Sequence, residues 1–154
     1  MNILVTGANG FLGKNLIADL TRQGYNNIQK YTRESTKEDL VEYVKKADFI
    51  FHFAGVNRPK NEIEFFEGNT NLTEYLISIL EEYKIQGTPL VDTSTIQASE
   101  DNSYGNSKKL AEYLVLNYYK NVSAGAYIYR LPNLFGKWSK PNYNSVVSTF
   151  CHNI

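Results

Sequence analysis

Met1-Asn2-Ile3-Leu4-Val5-Thr6-Gly7-Ala8-Asn9-Gly10-Phe11-Leu12-Gly13 is the stretch that decides the fold. Ile3-Leu4-Val5 reads as a short buried strand. Three glycines at three-residue spacing follow at once. Apolar residues then recur at Phe11, Leu12, Leu16, Ile17 and Leu20, one face of a helix. Strand, glycine turn and helix open a dinucleotide-binding βαβ unit. In such a unit Gly7 permits the tight turn, Gly10 admits the pyrophosphate and Gly13 lets the helix pack closely. Asn9, Phe11 and Leu12 complete the turn. The free N–H groups of the helix start, with its dipole, attract phosphate charge.

Composition narrows the class. The chain has 154 residues, enough for one domain with a sizeable core, and its 42% apolar content marks it as globular. Formal net charge is zero and no basic block occurs, so nucleic acid is not an expected partner. Twelve Tyr and eight Phe are spread along the chain, and most are expected in the core or half-buried. Cys151 is a lone cysteine, which fits a reducing cytoplasm; it reads as a small buried residue rather than a nucleophile with His152. The start shows neither a basic n-region nor a long apolar stretch, so no signal peptide and no membrane span are expected.

Further along, the elements alternate. The first helix is expected to end near Gly24, and Ile28–Thr32 reads as a second strand. Arg33 follows it, where NAD-binding domains usually place an acid about twenty residues after the glycine turn. An Arg there pairs with a 2′-phosphate and favours NADP(H); the alternative is a solvated Arg. A helix capped by Ser35 or Thr36 runs to Lys46, and Phe49–Phe53 is a strand expected to be buried on both faces, with His52 a core histidine. Ala54-Gly55 suits close approach by a cofactor. Arg58 and Lys60 either meet phosphate or are solvated. Glu62 to Glu82 reads as helical, in two pieces around Gly68. Leu90–Thr95 is a strand with a polar end, Tyr104 to about Lys120 a helix, and Ala126–Leu131 the last strand before a final short helix. The expected fold is α/β: a Rossmann-like doubly wound parallel sheet of about five strands in three layers, α/β/α.

The chemistry centres on Tyr104 and Lys108, which lie one turn apart on one helix face. A nearby ammonium is expected to lower the phenol from its usual value of about 10, making Tyr104 a general acid for a carbonyl oxygen as hydride reaches carbon. A hydroxyl from the Thr93-Ser94-Thr95 strand end can hold the same oxygen. Glu100 and Asp101 precede this helix without a legible role. No metal-ligand cluster is expected.

Taken together, Thr6–Gly13, His52-Phe53-Ala54-Gly55, Thr93-Ser94-Thr95, Tyr104-Gly105-Asn106-Ser107-Lys108 and Arg130–Gly136 resemble the short-chain dehydrogenase/reductase superfamily in its extended, nucleotide-sugar-modifying branch. The resemblance implies Thr95 as the catalytic hydroxyl, with Ser94 the runner-up and a substrate contact, beside Tyr104 and Lys108. It places Leu131 and Pro132 at the cofactor and Asn133 at the substrate. Ala54–Pro59, Ser94–Ala98 and Asn133–Ser145 are similar to bacterial capsular-polysaccharide reductases, which use NADPH to reduce a UDP-linked 4-keto-6-deoxy-N-acetylhexosamine and carry a C-terminal cupin domain. On that likeness Asn144 is a further substrate contact, residues 1–132 are the NADP-binding domain, and 133–154 begin a substrate lobe that is cut short. A longer parent protein, fragment inactivity and homo-oligomerisation through the Tyr104 helix are further expectations. Sugar dehydratases of this type place Asp-Glu where Ile96 and Gln97 stand, so dehydration lacks its acid and base. An NAD-dependent nucleotide-sugar epimerase and a non-catalytic NADP-binding module remain the alternatives.

Overall fold

Ile3, Leu4 and Val5 are completely buried in the computed structural model, which describes residues 1–59 and 61–154. A strand buried on both faces is the signature of a parallel sheet covered by helices. It is β1 (Ile3–Thr6), and it sits between β2 (Ile28–Tyr31) and β3 (Phe49–His52). β4 (Leu90–Thr95) and β5 (Ala126–Leu131) continue the sheet, all strands parallel, in the order β2-β1-β3-β4-β5. The fold is Rossmann-like, as expected. The order reverses between β1 and β3, and ligands of open α/β sheets bind in the crevice at such a switch point, beyond the strands' carboxyl ends.

Alternation along the strands divides the core in two. Ile3 and Val5 face α1 (Phe11–Arg22) and pack with Leu16, Ile17, Leu20 and Phe51. Leu4, Ile50 and Leu90 face the other way, towards α2 (Lys37–Lys46), α4 (Leu72–Glu82) and α5 (Ser103–Tyr119). The first layer is thin. α1 packs against β1, β2 and β3, and Tyr127 and Tyr129 stand exposed on β5, the edge strand farthest from β2. Phe49 and Phe51 are half-buried, so β3 is less enclosed than its apolar run suggests.

Local chemistry sets the boundaries. Gly24, at φ +91°, follows the end of α1. Thr36 and Asp39 form a reciprocal capping box that starts α2, each side chain bonded to the other's backbone N–H. The helical stretch from Ile63 has three parts: α3 (Ile63–Phe65), a π-helical turn (Phe66–Asn71) and α4. Gly68 lies in the π turn because its backbone packs on Val56, where a Cβ would collide. The last helix, α6 (Val146–Asn153), buries none of its residues. Cys151 is therefore exposed, contrary to the expectation of a buried thiol, since nothing packs over the face that carries it. No helix among the described residues is long and apolar enough to cross a membrane.

His52 is a core histidine, as expected, with 1% of its surface exposed. Thr73 Oγ1 donates to the Asn69 carbonyl at 2.6 Å, so at 2.9 Å it accepts from His52 Nε2–H. His52 Nδ1 then carries the lone pair and accepts from the Thr6 hydroxyl at 2.8 Å. Burial holds the ring neutral and lowers its pKa from 6.5 to about 4, with Asp92 pushing up and Lys108 down. In the unfolded chain the ring titrates near its ordinary value, so the unfolded state binds the extra proton between those limits. Stability is expected to be full above pH 6.5 and to decline towards pH 4, by about 3 kcal/mol from this group. Thermal unfolding across that range checks it, and His52→Gln should flatten the slope.

Candidate active site

The sequence-predicted site residues gather at the carboxyl ends of the strands. Gly7 adopts φ +66° just beyond β1, and a Cβ there would stand 2.7 Å from the Phe53 and Ala54 backbone. Ala54 N–H donates to Thr6 Oγ1 at 3.2 Å, which locks the end of β3 to the turn. Gly13 packs so closely that a Cβ would strike Gly7 O and come within 2.7 Å of Ala8 Cα. Gly10, the N-cap of α1, is exposed and offers no side-chain cap, so the first N–H groups of the helix point outward unclaimed by a cap. Asn9 is exposed, while Phe11 and Leu12 are half-buried.

β2 leads directly to Arg33. Ala8 N–H donates to the Tyr31 carbonyl at 3.3 Å, so the glycine turn and the end of β2 are neighbours. Thr32 and Ser35 close a tight turn through Ser35 N–H to Thr32 O at 3.2 Å and Thr32 N–H to Ser35 Oγ at 3.1 Å. Arg33 stands exposed at its tip. Lys60 lies outside the described residues.

The third group forms around α5. Asn102 caps the helix by accepting Gly105 N–H at 2.7 Å. The acidic loop has its role here. Glu100 accepts from Asn102 Nδ2 at 3.1 Å, and Asp101 accepts from Asn106 Nδ2 at 3.0 Å. Gly105 is required because a Cβ would collide with Gln97 O and lie 2.9 Å from Glu100 O. This fixes Tyr104 over the end of β4. Its ring packs on Phe65 at 5.4 Å between centroids, and the Thr95 hydroxyl is close enough to act on its phenol. Thr95 also accepts Gln97 N–H at 3.2 Å.

Burial raises the Tyr104 phenol above its usual value, the Thr95 hydroxyl pulls it back, and the nearby Tyr143 phenol pushes it up again. Spacing alone predicts that Lys108 lowers this phenol. The direction is the reverse because desolvation dominates and the neighbour favouring phenolate is Thr95. Lys108 is turned inward, only 6% exposed, with its ammonium 4.0 Å from where a Gly55 Cβ would stand.

Ser94 and Thr95 separate cleanly. Thr95 meets Tyr104, whereas Ser94 faces the opposite way and approaches the Glu112 carboxylate without forming a hydrogen bond of ordinary geometry. Ser94 therefore does not open on the cleft that holds the other expected substrate residues. That cleft, about 600 Å³, is lined by Arg58, Asn133, Tyr143, Asn144 and Phe150. The Arg58 guanidinium sits 4.9 Å from the Tyr143 ring centre. Asn15 of α1 donates to the Phe11 and Lys137 carbonyls, each at 2.9 Å, so the loop after β5 is tied to the glycine helix. Leu131 pairs with Thr95 in the sheet register, and Pro132 is exposed beyond it.

Two structural devices were not legible beforehand. Asn69, in the π turn, is 1% exposed. It accepts Val56 N–H at 2.9 Å and donates to Val56 O at 3.1 Å and Ser107 Oγ at 3.0 Å. It thereby joins the Gly55 loop to α5. The available signal was a polar pair, Asn69-Thr70, interrupting an apolar helix face. The second device is Arg130, which grips Glu112 with Nε at 2.9 Å and Nη2 at 2.7 Å. Burial alone would raise the Glu112 carboxyl, but Arg130, with Ser94 and Lys108, holds it below its usual range.

A family model described as "NAD dependent epimerase/dehydratase family" matches residues 3–154. The chain belongs to that family. It is 50% identical over 154 residues to the UDP-2-acetamido-2,6-beta-L-arabino-hexul-4-ose reductase of Pseudomonas aeruginosa, covering all of this chain and 41% of that protein. The capsular polysaccharide assembling protein CapF of Staphylococcus aureus superposes with a TM-score of 0.84 at 47% identity, over 99% of this chain and 41% of CapF. The UDP-glucuronic acid 4-epimerase of Bacillus cereus, solved with NAD, shares the fold at TM-score 0.79 and 19% identity, over 99% of this chain and 64% of that one. The chain thus spans 41% of the length of the reductase and of CapF.

Proposed function

We propose that this chain is the cofactor-binding part of an NADPH-dependent reductase acting on the 4-keto group of a UDP-linked 6-deoxy-N-acetylhexosamine, in bacterial surface-polysaccharide synthesis. The observation that carries this reading is Tyr104 held at the end of β4 by the α5 cap, with the Thr95 hydroxyl acting on its phenol, beside a tight glycine turn and a polar cleft. The substrate class is that of the P. aeruginosa reductase. Residues 133–154 would begin the substrate lobe.

The residues present fit a dinucleotide. Gly7 and Gly13 pack against backbone with no room for a Cβ, which keeps the turn tight between β1 and α1, and the exposed N-cap at Gly10 leaves helix N–H groups for phosphate. Gly7, Asn9, Gly10, Phe11, Leu12, Gly13, Ala54, Gly55, Leu131 and Pro132 would line the cofactor site, with Arg33 placed for a 2′-phosphate. When bound, the nicotinamide supplies the hydride. Thr95 orients the keto oxygen, and Tyr104 gives that oxygen its proton. A phenol raised by burial keeps its proton at neutral pH, as a donor must. Lys108 holds the nicotinamide ribose. Arg58, Asn133 and Asn144 contact the sugar nucleotide. The exposed Leu110, Tyr113 and Leu116 on α5 offer an apolar face for a second copy of the protein.

The test supplies the full-length protein with the UDP-linked 4-keto sugar and either NADPH or NADH, and follows loss of the reduced-nicotinamide absorbance. NADPH should be preferred. Arg33→Ser should raise the KM for NADPH about tenfold, the loss of one charge-assisted contact, and leave that for NADH unchanged. A wild-type preference for NADH would overturn the NADP assignment.

A further inference from the structure

Arg130 stands near the end of β5, paired in register with Ser94 of β4. All three nitrogens of its guanidinium are used. Nε and Nη2 form a fork on the Glu112 carboxylate at 2.9 and 2.7 Å, and Nη1 donates to Ser99 Oγ at 3.2 Å. Three elements meet at this one group: β5, the middle of α5, and the 3₁₀ turn Ile96–Ser99.

That turn carries one half of the candidate site and seats the other. Thr95 is its N-cap and accepts Gln97 N–H at 3.2 Å. α5 starts directly on it, since Gly105, next to Tyr104, has no room for a Cβ against Gln97 O and Glu100 O. Thr95 therefore rides on the turn and Tyr104 on the helix. The two pieces touch at the helix start and are tied again through Arg130, about two turns further along α5. A helix held only at its start can pivot over the turn; one held at two points cannot. Charge alone asks for less than this. Glu112 is buried and needs a cation, which a lysine would supply. The planar guanidinium adds a fixed direction and a spare nitrogen for Ser99.

We propose that Arg130 is a positioning residue, whose three bonds lock α5 to the Ile96–Ser99 turn and so hold Tyr104 and Thr95 at one separation for the keto oxygen. This rests on the reading of Tyr104 and Thr95 given above.

The experiment uses the full-length protein with Arg130→Lys, which keeps a charge beside Glu112, and Ser99→Ala, which removes only the third bond. Well below Tm, Arg130→Lys should cut kcat about tenfold, with the KM for the keto sugar and the Kd for NADPH within about twofold of wild type. Ser99→Ala should cut kcat about threefold at unchanged Tm, and the double variant should be no slower than Arg130→Lys, because the two act through one contact. A readout without turnover is hydrogen exchange at the Gln97 amide, which is bonded to Thr95. It should quicken about tenfold in Arg130→Lys while the amides of β1 keep their wild-type rates. A variant that loses Tm but keeps the wild-type kcat and Gln97 exchange makes Arg130 merely structural and overturns the proposal. If Arg130→Lys does not fold, Ser99→Ala decides by the same two readouts. If the wild-type protein binds NADPH but reduces no keto sugar, the proposed reaction fails, and Gln97 exchange still judges Arg130.

Discussion

Tyr104→Phe in the full-length protein is expected to cut NADPH-dependent keto reduction about a thousandfold while NADPH still binds. The substitution removes one oxygen and leaves the ring on Phe65, so the helix cap and the packing stay as they are. What disappears is the proton donor. Without it the keto oxygen must take charge with only the Thr95 hydroxyl to stabilise it. Thr95→Val supplies the complementary case. It leaves the donor but removes both the group that orients the keto oxygen and the hydroxyl that offsets burial of the phenol. Its turnover should fall about a hundredfold, in the range for losing one positioned donor. In the double variant the two losses should not add, because the residues act on one oxygen. Turnover of Tyr104→Phe within a few-fold of wild type would remove Tyr104 from the reaction and return the chain to a cofactor-binding role.

The parts of this structure that local pattern determines were legible in the sequence. β4 and β5 run over Leu90–Thr95 and Ala126–Leu131 as expected, because short apolar runs bounded by Gly, Pro and polar turns have few other readings. The glycine turn was legible because three glycines at that spacing have a steric reason. What escaped depended on which residues meet across the fold. Asn69 looks like a surface residue in a helix, yet it bridges the Gly55 loop and α5 from inside a π turn. Ser94 and Thr95 are chemically interchangeable on paper, and only the folded chain sets Ser94 against Glu112 within α5 and Thr95 against Tyr104 at the helix start. The i, i+4 spacing placed Lys108 near Tyr104 but carried no information about burial, which reversed the sign of the phenol's shift. Cys151 was misjudged because a residue type's average burial says nothing about a helix whose outer face is uncovered.

Gly13→Val should be the most damaging single change in the cofactor cradle. The added Cβ would meet Gly7 O, Ala8 Cα at 2.7 Å and Ala8 C at 2.9 Å, all backbone atoms of the turn itself. None of these is the far end of a flexible side chain, so α1 must move away from β1 or the turn must open. Either response costs about 3 kcal/mol of stability, the upper range for forced overpacking. It also displaces the helix N–H groups that would meet the pyrophosphate. NADPH affinity should fall by about tenfold or more as a direct consequence. Gly10→Val separates the two effects. Gly10 is exposed, and its added Cβ would find one close neighbour, Gly7 O at 3.0 Å. That change should lower stability by no more than about 1 kcal/mol, yet it puts a side chain where the phosphates approach. Binding should therefore fall about as far as in Gly13→Val, with Tm nearly intact. If Gly13→Val does not fold at all, Gly10→Val still decides the matter by isothermal titration with NADPH. Wild-type affinity in that variant would mean that the open end of α1 is not where the dinucleotide sits.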